Sequence, residues 1–136
     1  MKPITILLAE DHLHVREGLK LLLESETDIQ IVGEAGNGRE AVAFAGKYGP
    51  DVVIMDISMP LIDGLEATRQ ILQNTPNTKV IVLSSHAEDA YIQQAKTLGA
   101  AGYLIKQSDA KHLAATIRQA HQGLPFICPS QTAPKP

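Results

Sequence analysis

The chain has 136 residues, 44% of them hydrophobic and 20% charged, with a formal net charge of −3 and basic residues scattered along its length. That length suits one domain with a core of its own, and the scattered basic residues exclude a nucleic-acid-binding module within this segment. The single cysteine, Cys128, excludes an internal disulfide and suits a reducing compartment.

The N-terminus, Met1-Lys2-Pro3-Ile4, runs directly into apolar residues without a small-residue cleavage site, so it reads as a first strand and not as a signal peptide. Ile4–Ala9 is that strand, and like Lys79–Leu83 it is far too short to span a bilayer. The expected location is cytoplasmic, with no membrane partner. Val15, Leu19, Leu22 and Leu23 then form the apolar stripe of a first helix. A second strand is expected over Ile29–Glu34. The glycines of Gly33-Glu-Ala-Gly-Asn-Gly38 are spaced unlike a dinucleotide fingerprint and read as a strand-to-helix turn.

Ala41, Val42 and Ala45 mark a weaker second helix, ended by Gly49-Pro50. Val52–Asp56 is the third strand, and Asp63 starts a helix carrying Leu65, Thr68, Ile71 and Leu72 that ends before Pro76. Lys79–Ser84 is the fourth strand. Glu88 to Leu98 is a poorly amphipathic fourth helix held by Ile92 and Ala95 and stopped at Gly99. Gly102–Lys106 is the fifth strand, and Ser108-Asp109 signals a last helix with Leu113, Ile117 and Ala120 inward and Gly123 at its end. Leu124–Pro136, with four prolines and no period, reads as a linker or frayed tail.

Several strands are apolar at consecutive positions, as in Val52-Val53-Ile54-Met55 and Val80-Ile81-Val82-Leu83, the pattern of strands covered on both faces of a parallel sheet. Five such strands alternating with five helices, joined by right-handed crossovers, predict an α/β flavodoxin-like doubly wound (βα)5 fold. Its five-stranded parallel sheet is expected in the order 2-1-3-4-5.

In such sheets ligands bind outside the carboxyl ends of the strands. Those ends carry Glu10-Asp11, Asp56, Ser84-Ser85 and Lys106. Three crowded carboxylates repel one another unless a cation sits among them. Lys106 offsets part of that repulsion, and Mg²⁺ would offset more, since it takes one or two carboxylates, keeps waters and coordinates phosphate. One carboxylate is then available as a nucleophile, and an aspartyl phosphate is an established covalent state. Lys106 and Ser84 are placed to stabilise phosphoryl oxygens.

Over residues 3–123 the sequence resembles the receiver domain of bacterial two-component response regulators. The matching pieces are Leu7-Leu8-Ala9-Glu10-Asp11, the run from Asp51 through Asp56 and Pro60 to Gly64, Val80-Ile-Val-Leu-Ser84, and Gly99-Ala-Ala-Gly-Tyr-Leu-Ile-Lys106. Val15-Arg16-Glu17-Gly18-Leu19 and Gly102 to Lys106 look closest to the NarL/FixJ branch, whose members carry a LuxR-type helix-turn-helix DNA-binding domain after the receiver.

The resemblance implies that Asp56 is the phosphoacceptor, with Lys106 and Ser84 completing the catalytic set. It implies Mg²⁺ held by Glu10, Asp11, Asp56 and the Ser58 main-chain carbonyl. Ser84 and Tyr103 are the implied switch pair, and Ser58 and His86 are candidates for tuning the reaction. The implied partners are a sensor histidine kinase and a second copy of the chain, which would meet the face of the fourth helix, fifth strand and fifth helix or another receiver surface. DNA would be reached only through a C-terminal domain expected outside this chain. Residues 1–123 are then the receiver and 124–136 a linker or tail, in either an excised or a stand-alone receiver.

Haloacid-dehalogenase phosphatases also form an aspartyl phosphate, but they need a second aspartate where Ser58 stands, so a switch and not an enzyme acting on outside substrates is expected. His12 and His14 lack a matching third ligand and read as exposed loop or helix-start residues.

Overall fold

The computed structural model describes residues 2–57, 63–85, 88–106 and 110–129. Among these, five strands alternate with five helices: β1 (Ile4–Ala9), α1 (Leu13–Glu24), β2 (Ile29–Ala35), α2 (Gly38–Tyr48), β3 (Val52–Asp56), α3 (Gly64–Asn74), β4 (Lys79–Ser84), α4 (Asp89–Leu98), β5 (Gly102–Ile105) and α5 (Leu113–His121), the last entered through a 3-10 turn at Ala110–His112. The strands form one parallel sheet in the order β2-β1-β3-β4-β5, as the pattern predicts.

Side chains alternate across the sheet because successive strand residues point to opposite faces. Ile6, Leu8 and Ile54 thus pack with Leu19 and Leu23 of α1 and with Leu113, Ile117 and Ala120 of α5. Leu7, Ala9, Val53 and Met55 point the other way, against Ala41 and Ala45 of α2 and Ala67 and Ile71 of α3. The same face continues under α4, where Ile92 and Ala95 cover Val82, Tyr103 and Ile105. Asp63 caps α3 by accepting from the Glu66 amide at 2.8 Å, and Asn37 does the same for α2 from Glu40 at 2.9 Å. Gly49 and Gly99 end α2 and α4 with φ of 56° and 99°, a left-handed conformation that glycine adopts without steric cost.

Two expectations are corrected. Val15 and Leu22, expected on the buried stripe of α1, are 38% and 49% exposed, while Leu19 and Leu23 are buried. The sheet takes only the narrow strip at 19 and 23, one helical turn apart, and the neighbouring strip at 15 and 22 turns outward. The second correction concerns the start of the tail. Ile127 forms a parallel bridge to Gly102, donates to the Ala101 carbonyl at 2.9 Å and accepts from the Tyr103 amide at 2.9 Å. Phe126 and Cys128 pack beside Tyr103 and α4. The segment docks because β5 is an edge strand whose free backbone groups gain partners.

Gly102 makes that docking sterically feasible. A Cβ there would lie 2.9 Å from the Ile127 carbonyl oxygen and 3.4 Å from Thr116 Cγ2. Gly102→Ala is therefore expected to release the segment and expose the buried Cys128 thiol. Losing two backbone hydrogen bonds of about 1 kcal/mol each raises the open fraction about 30-fold, and losing only one about 5-fold. The rate of reaction with a disulfide reagent measures it, and since Cys128 is the chain's one cysteine, the signal is unambiguous. An unchanged rate would mean that Ile127 is held by something other than the β5 edge.

Candidate functional site

β1, β3, β4 and β5 all end on one rim. Ala9 pairs with Met55, so Glu10 and Asp56 follow one another on neighbouring strands, and Asp56 in turn pairs with Leu83, just before Ser84. Glu10 is 0% exposed and Asp56 1%. Such burial of two carboxylates is costly unless each is paired. Lys106 supplies the pairing: its Nζ lies 2.8 Å from Glu10 Oε1 and 3.3 Å from Asp56 Oδ1. Lys106 follows β5, three strands from β1 in the sheet order, so its ammonium and the Glu10 and Asp56 carboxylates meet across the rim, each side chain covering part of the distance.

Burial pushes the Glu10 carboxyl up, but hydrogen bonding with Lys106 and Asp56 and from the His12 amide outweighs it, so the group sits below the usual carboxylate range. Burial likewise pulls Lys106 down, and the two carboxylates more than reverse it.

Glu10, Asp11, His12 and Asp56 each offer one ligand atom within 4.8 Å of all the others. Three carboxylates against one ammonium leave two formal negative charges on the rim, the amount one divalent cation neutralises. Asp11 Oδ1 is buried and accepts no hydrogen bond from any described residue; His12 Nδ1 approaches it at 3.3 Å. Oxygen donors in excess, one of them without a hydrogen bond, suit a hard cation such as Mg²⁺. The residues fit it.

Ser84, also fully buried, is hydrogen-bonded to Tyr103, which is 0% exposed and lies inward under α4. Burial pushes the Tyr103 hydroxyl up, and the bond with Ser84 offsets only part of that. Gly64 supports the rim from below: its amide donates to the Ile57 carbonyl at 3.2 Å, and a Cβ there would overlap the Asp56 carbonyl oxygen. Ser58 and His86 lie outside the described residues.

Two contributors were not assigned from the sequence. The His12 main chain donates to Glu10 Oε2 at 3.1 Å, and its exposed imidazole, at the start of α1 as expected, is nonetheless beside the acids. Arg16 entered the sequence reading only within the run Val15–Leu19, without a role, yet its Nη1 donates to the Glu10 carbonyl at 2.9 Å. Its place in the first turn of α1, five residues after Asp11, is the signal that could have found it.

Comparison with known proteins agrees with this picture. The family profile described as "Response regulator receiver domain" matches residues 6–118. The transcriptional regulatory protein DegU of Brevibacillus brevis is 40% identical over 129 residues, covering 95% of this chain and 55% of that protein. LiaR of Bacillus subtilis is 43% identical over 124 residues, covering 91% and 59%. The chain thus spans somewhat more than half the length of these curated relatives. Among solved structures, a LuxR-family two-component response regulator from Aurantimonas sp. SI85-9A1 superposes with a TM-score of 0.89 at 32% identity, covering 95% of this chain and 92% of that one. The response regulator domain of Thermotoga maritima CheB gives 0.84 at 33% identity, covering 89% and 98%. No helix among the described residues is long and apolar enough to cross a membrane.

Proposed function

The chain belongs to the response regulator receiver domain family, and on that premise we propose that Asp56 accepts a phosphoryl group from a sensor histidine kinase and thereby switches the domain. Its homologues are LuxR/NarL-type regulators, and a receiver is a switch and not a classical enzyme. The observation that carries the proposal is the Asp56 carboxylate, buried at the end of the third strand, with Lys106 at 3.3 Å and the Glu10 and Asp11 oxygens within 4.8 Å.

In the proposed step an Asp56 oxygen forms the O–P bond while the P–N bond of a phosphohistidine breaks. The bonding pair leaves with the imidazole, which takes a proton from water. Lys106 then meets the charge of the new phosphoryl oxygens. Glu10, Asp11 and Asp56, with the Ser58 carbonyl that the resemblance implies, would hold Mg²⁺. When bound, the ion supplies neutralising charge for the transferring group. Burial of Glu10 and Asp56 excludes water from the acceptor and strengthens each of these interactions.

The output runs through Ser84. A phosphoryl oxygen offers its hydroxyl a charged acceptor in place of Tyr103, and a charge-assisted bond is worth about 1.5–3 kcal/mol. Releasing Tyr103 alters the packing of α4 and β5, and also of the docked segment at Ile127, whose carbonyl accepts from the Tyr103 amide. Self-association through the α4–β5–α5 face or another surface, and DNA binding by a C-terminal helix-turn-helix domain, are the downstream events proposed. Residues 1–123 are the proposed receiver and 124–136 the link to that output. His86 is proposed to tune water access.

Intact mass spectrometry tests the chemistry. With acetyl phosphate and Mg²⁺ the protein should gain one acid-labile phosphoryl group, and excess chelator should suppress it. Equal uptake with and without chelator would remove the metal from the reading.

A further inference from the structure

The β1–α1 turn carries both Glu10 and Asp11, so its backbone sets where two of the three rim carboxylates point. The Glu10 amide donates to the Ala35 carbonyl at the end of β2, at 3.0 Å. The Glu10 carbonyl accepts from Arg16 Nη1 at 2.9 Å, and the same nitrogen lies 3.5 Å from the Ala35 carbonyl. Glu10 N–H, Ala35 C=O, Arg16 Nη1 and Glu10 C=O therefore close a ring that fixes both sides of the Glu10 residue. The guanidinium is itself held: its Nε lies 3.2 Å from Glu34 Oε1, and the other Glu34 oxygen meets Lys20 Nζ at 3.1 Å. Arg16 touches none of the carboxylate oxygens of Glu10, Asp11 or Asp56 in any contact the structure shows.

We infer that Arg16 is a positioning residue for the Mg²⁺ site, locking the Glu10–Asp11 turn against the end of β2 so that the rim carboxylates converge. The inference rests on the reading of Glu10, Asp11 and Asp56 as the Mg²⁺ ligands. Groups that orient metal ligands from behind are worth roughly 10–100-fold in metal affinity, and a planar guanidinium holds its acceptors in a fixed fork of separate nitrogens that the single nitrogen of an ammonium does not reproduce.

The sign of the effect separates positioning from simple charge. Arg16 is a cation near a cation site, so by Coulomb's law alone its removal tightens Mg²⁺ binding; loss of positioning weakens it. Mg²⁺ titration of the whole chain, by calorimetry or amide NMR shifts, is the measurement, with metal-free melting curves as the folding control. Arg16→Ala is expected to weaken Mg²⁺ roughly tenfold. Arg16→Lys keeps the charge, so charge alone predicts no change, whereas positioning predicts a loss only partly smaller than that of Arg16→Ala.

Unchanged or tighter binding in Arg16→Ala overturns the inference. If Arg16→Ala does not fold, Arg16→Lys decides alone: weaker binding supports positioning, and an affinity equal to that of the unmodified protein overturns it. An unmodified protein that shows no Mg²⁺ response overturns the site reading and this inference with it. Binding in the unmodified protein that both variants preserve overturns the inference only.

Discussion

Asp56→Asn is expected to take up no phosphoryl group from acetyl phosphate or from a histidine kinase, under conditions where the unmodified chain takes up one. The amide nitrogen and oxygen are neutral and too weakly nucleophilic to displace a leaving group from phosphorus. The loss is chemical and not structural, because Lys106 keeps its shorter contact, 2.8 Å to Glu10, when the 3.3 Å contact to Asp56 is weakened. The change also removes one of the carboxylates whose ligand atoms crowd within 4.8 Å, which relieves repulsion. The variant should thus melt at or above the temperature of the parent in the absence of metal. Intact mass and a melting curve on the same sample check both halves. Undiminished labelling would move the acceptor to another residue, with Glu10 and Asp11 the first to test by peptide mapping.

The strands were legible because burial on both faces leaves a trace in sequence: Val52 to Met55 and Val80 to Leu83 are apolar at every position, and each of those residues is buried. The rim was legible for a related reason. A doubly wound sheet brings its strand ends together, so Glu10, Asp56, Ser84 and Lys106 could be grouped without knowing any distance.

Pairwise geometry was not legible. Nothing in the chain order says that Lys106 approaches Glu10 more closely than Asp56, or that Ser84 is engaged by Tyr103. Helical periodicity placed α1 correctly but could not choose between adjacent strips of its surface, so Val15 and Leu22 were expected inside. The role of Arg16 was not legible because its partners come from the end of β1 and from the end of β2, which only the sheet brings alongside. The docking of Ile127 escaped because prolines dominated the reading of the tail. The apolar run Phe126-Ile127-Cys128, together with a glycine at position 102, was the signal available.

Lys106→Met is expected to destabilise the fold by about 3–5 kcal/mol at neutral pH, the cost of removing one partner from a buried charge cluster. Methionine retains the length and apolar stem, so packing changes little and the lost ammonium dominates. Glu10, at 0% exposure, and Asp56, at 1%, lose contacts of 2.8 and 3.3 Å. The pH dependence identifies the cause. In the unmodified chain Glu10 is held below its ordinary value of 4.5, so its contribution is present above that value and is lost as pH falls through the depressed folded value. Lys106 is raised above 10.5, so its contribution is fully present below that value and is lost only as pH rises through the folded value. Without Lys106, burial prevails and Glu10 should rise above 4.5 instead. A group raised in this way stabilises most fully below its unfolded value, and that stability is lost as pH rises. The gap between the two proteins should therefore be wide at neutral pH and should narrow as pH falls through the raised value at which Glu10 of the variant takes up its proton. Urea denaturation at pH 7 and pH 4 measures it. A divalent cation answers the same excess of negative charge, so Mg²⁺ at neutral pH should narrow the gap as well. A gap indifferent to both pH and Mg²⁺ would mean that Lys106 acts through the packing of its stem, and that the rim carries its carboxylates without electrostatic help.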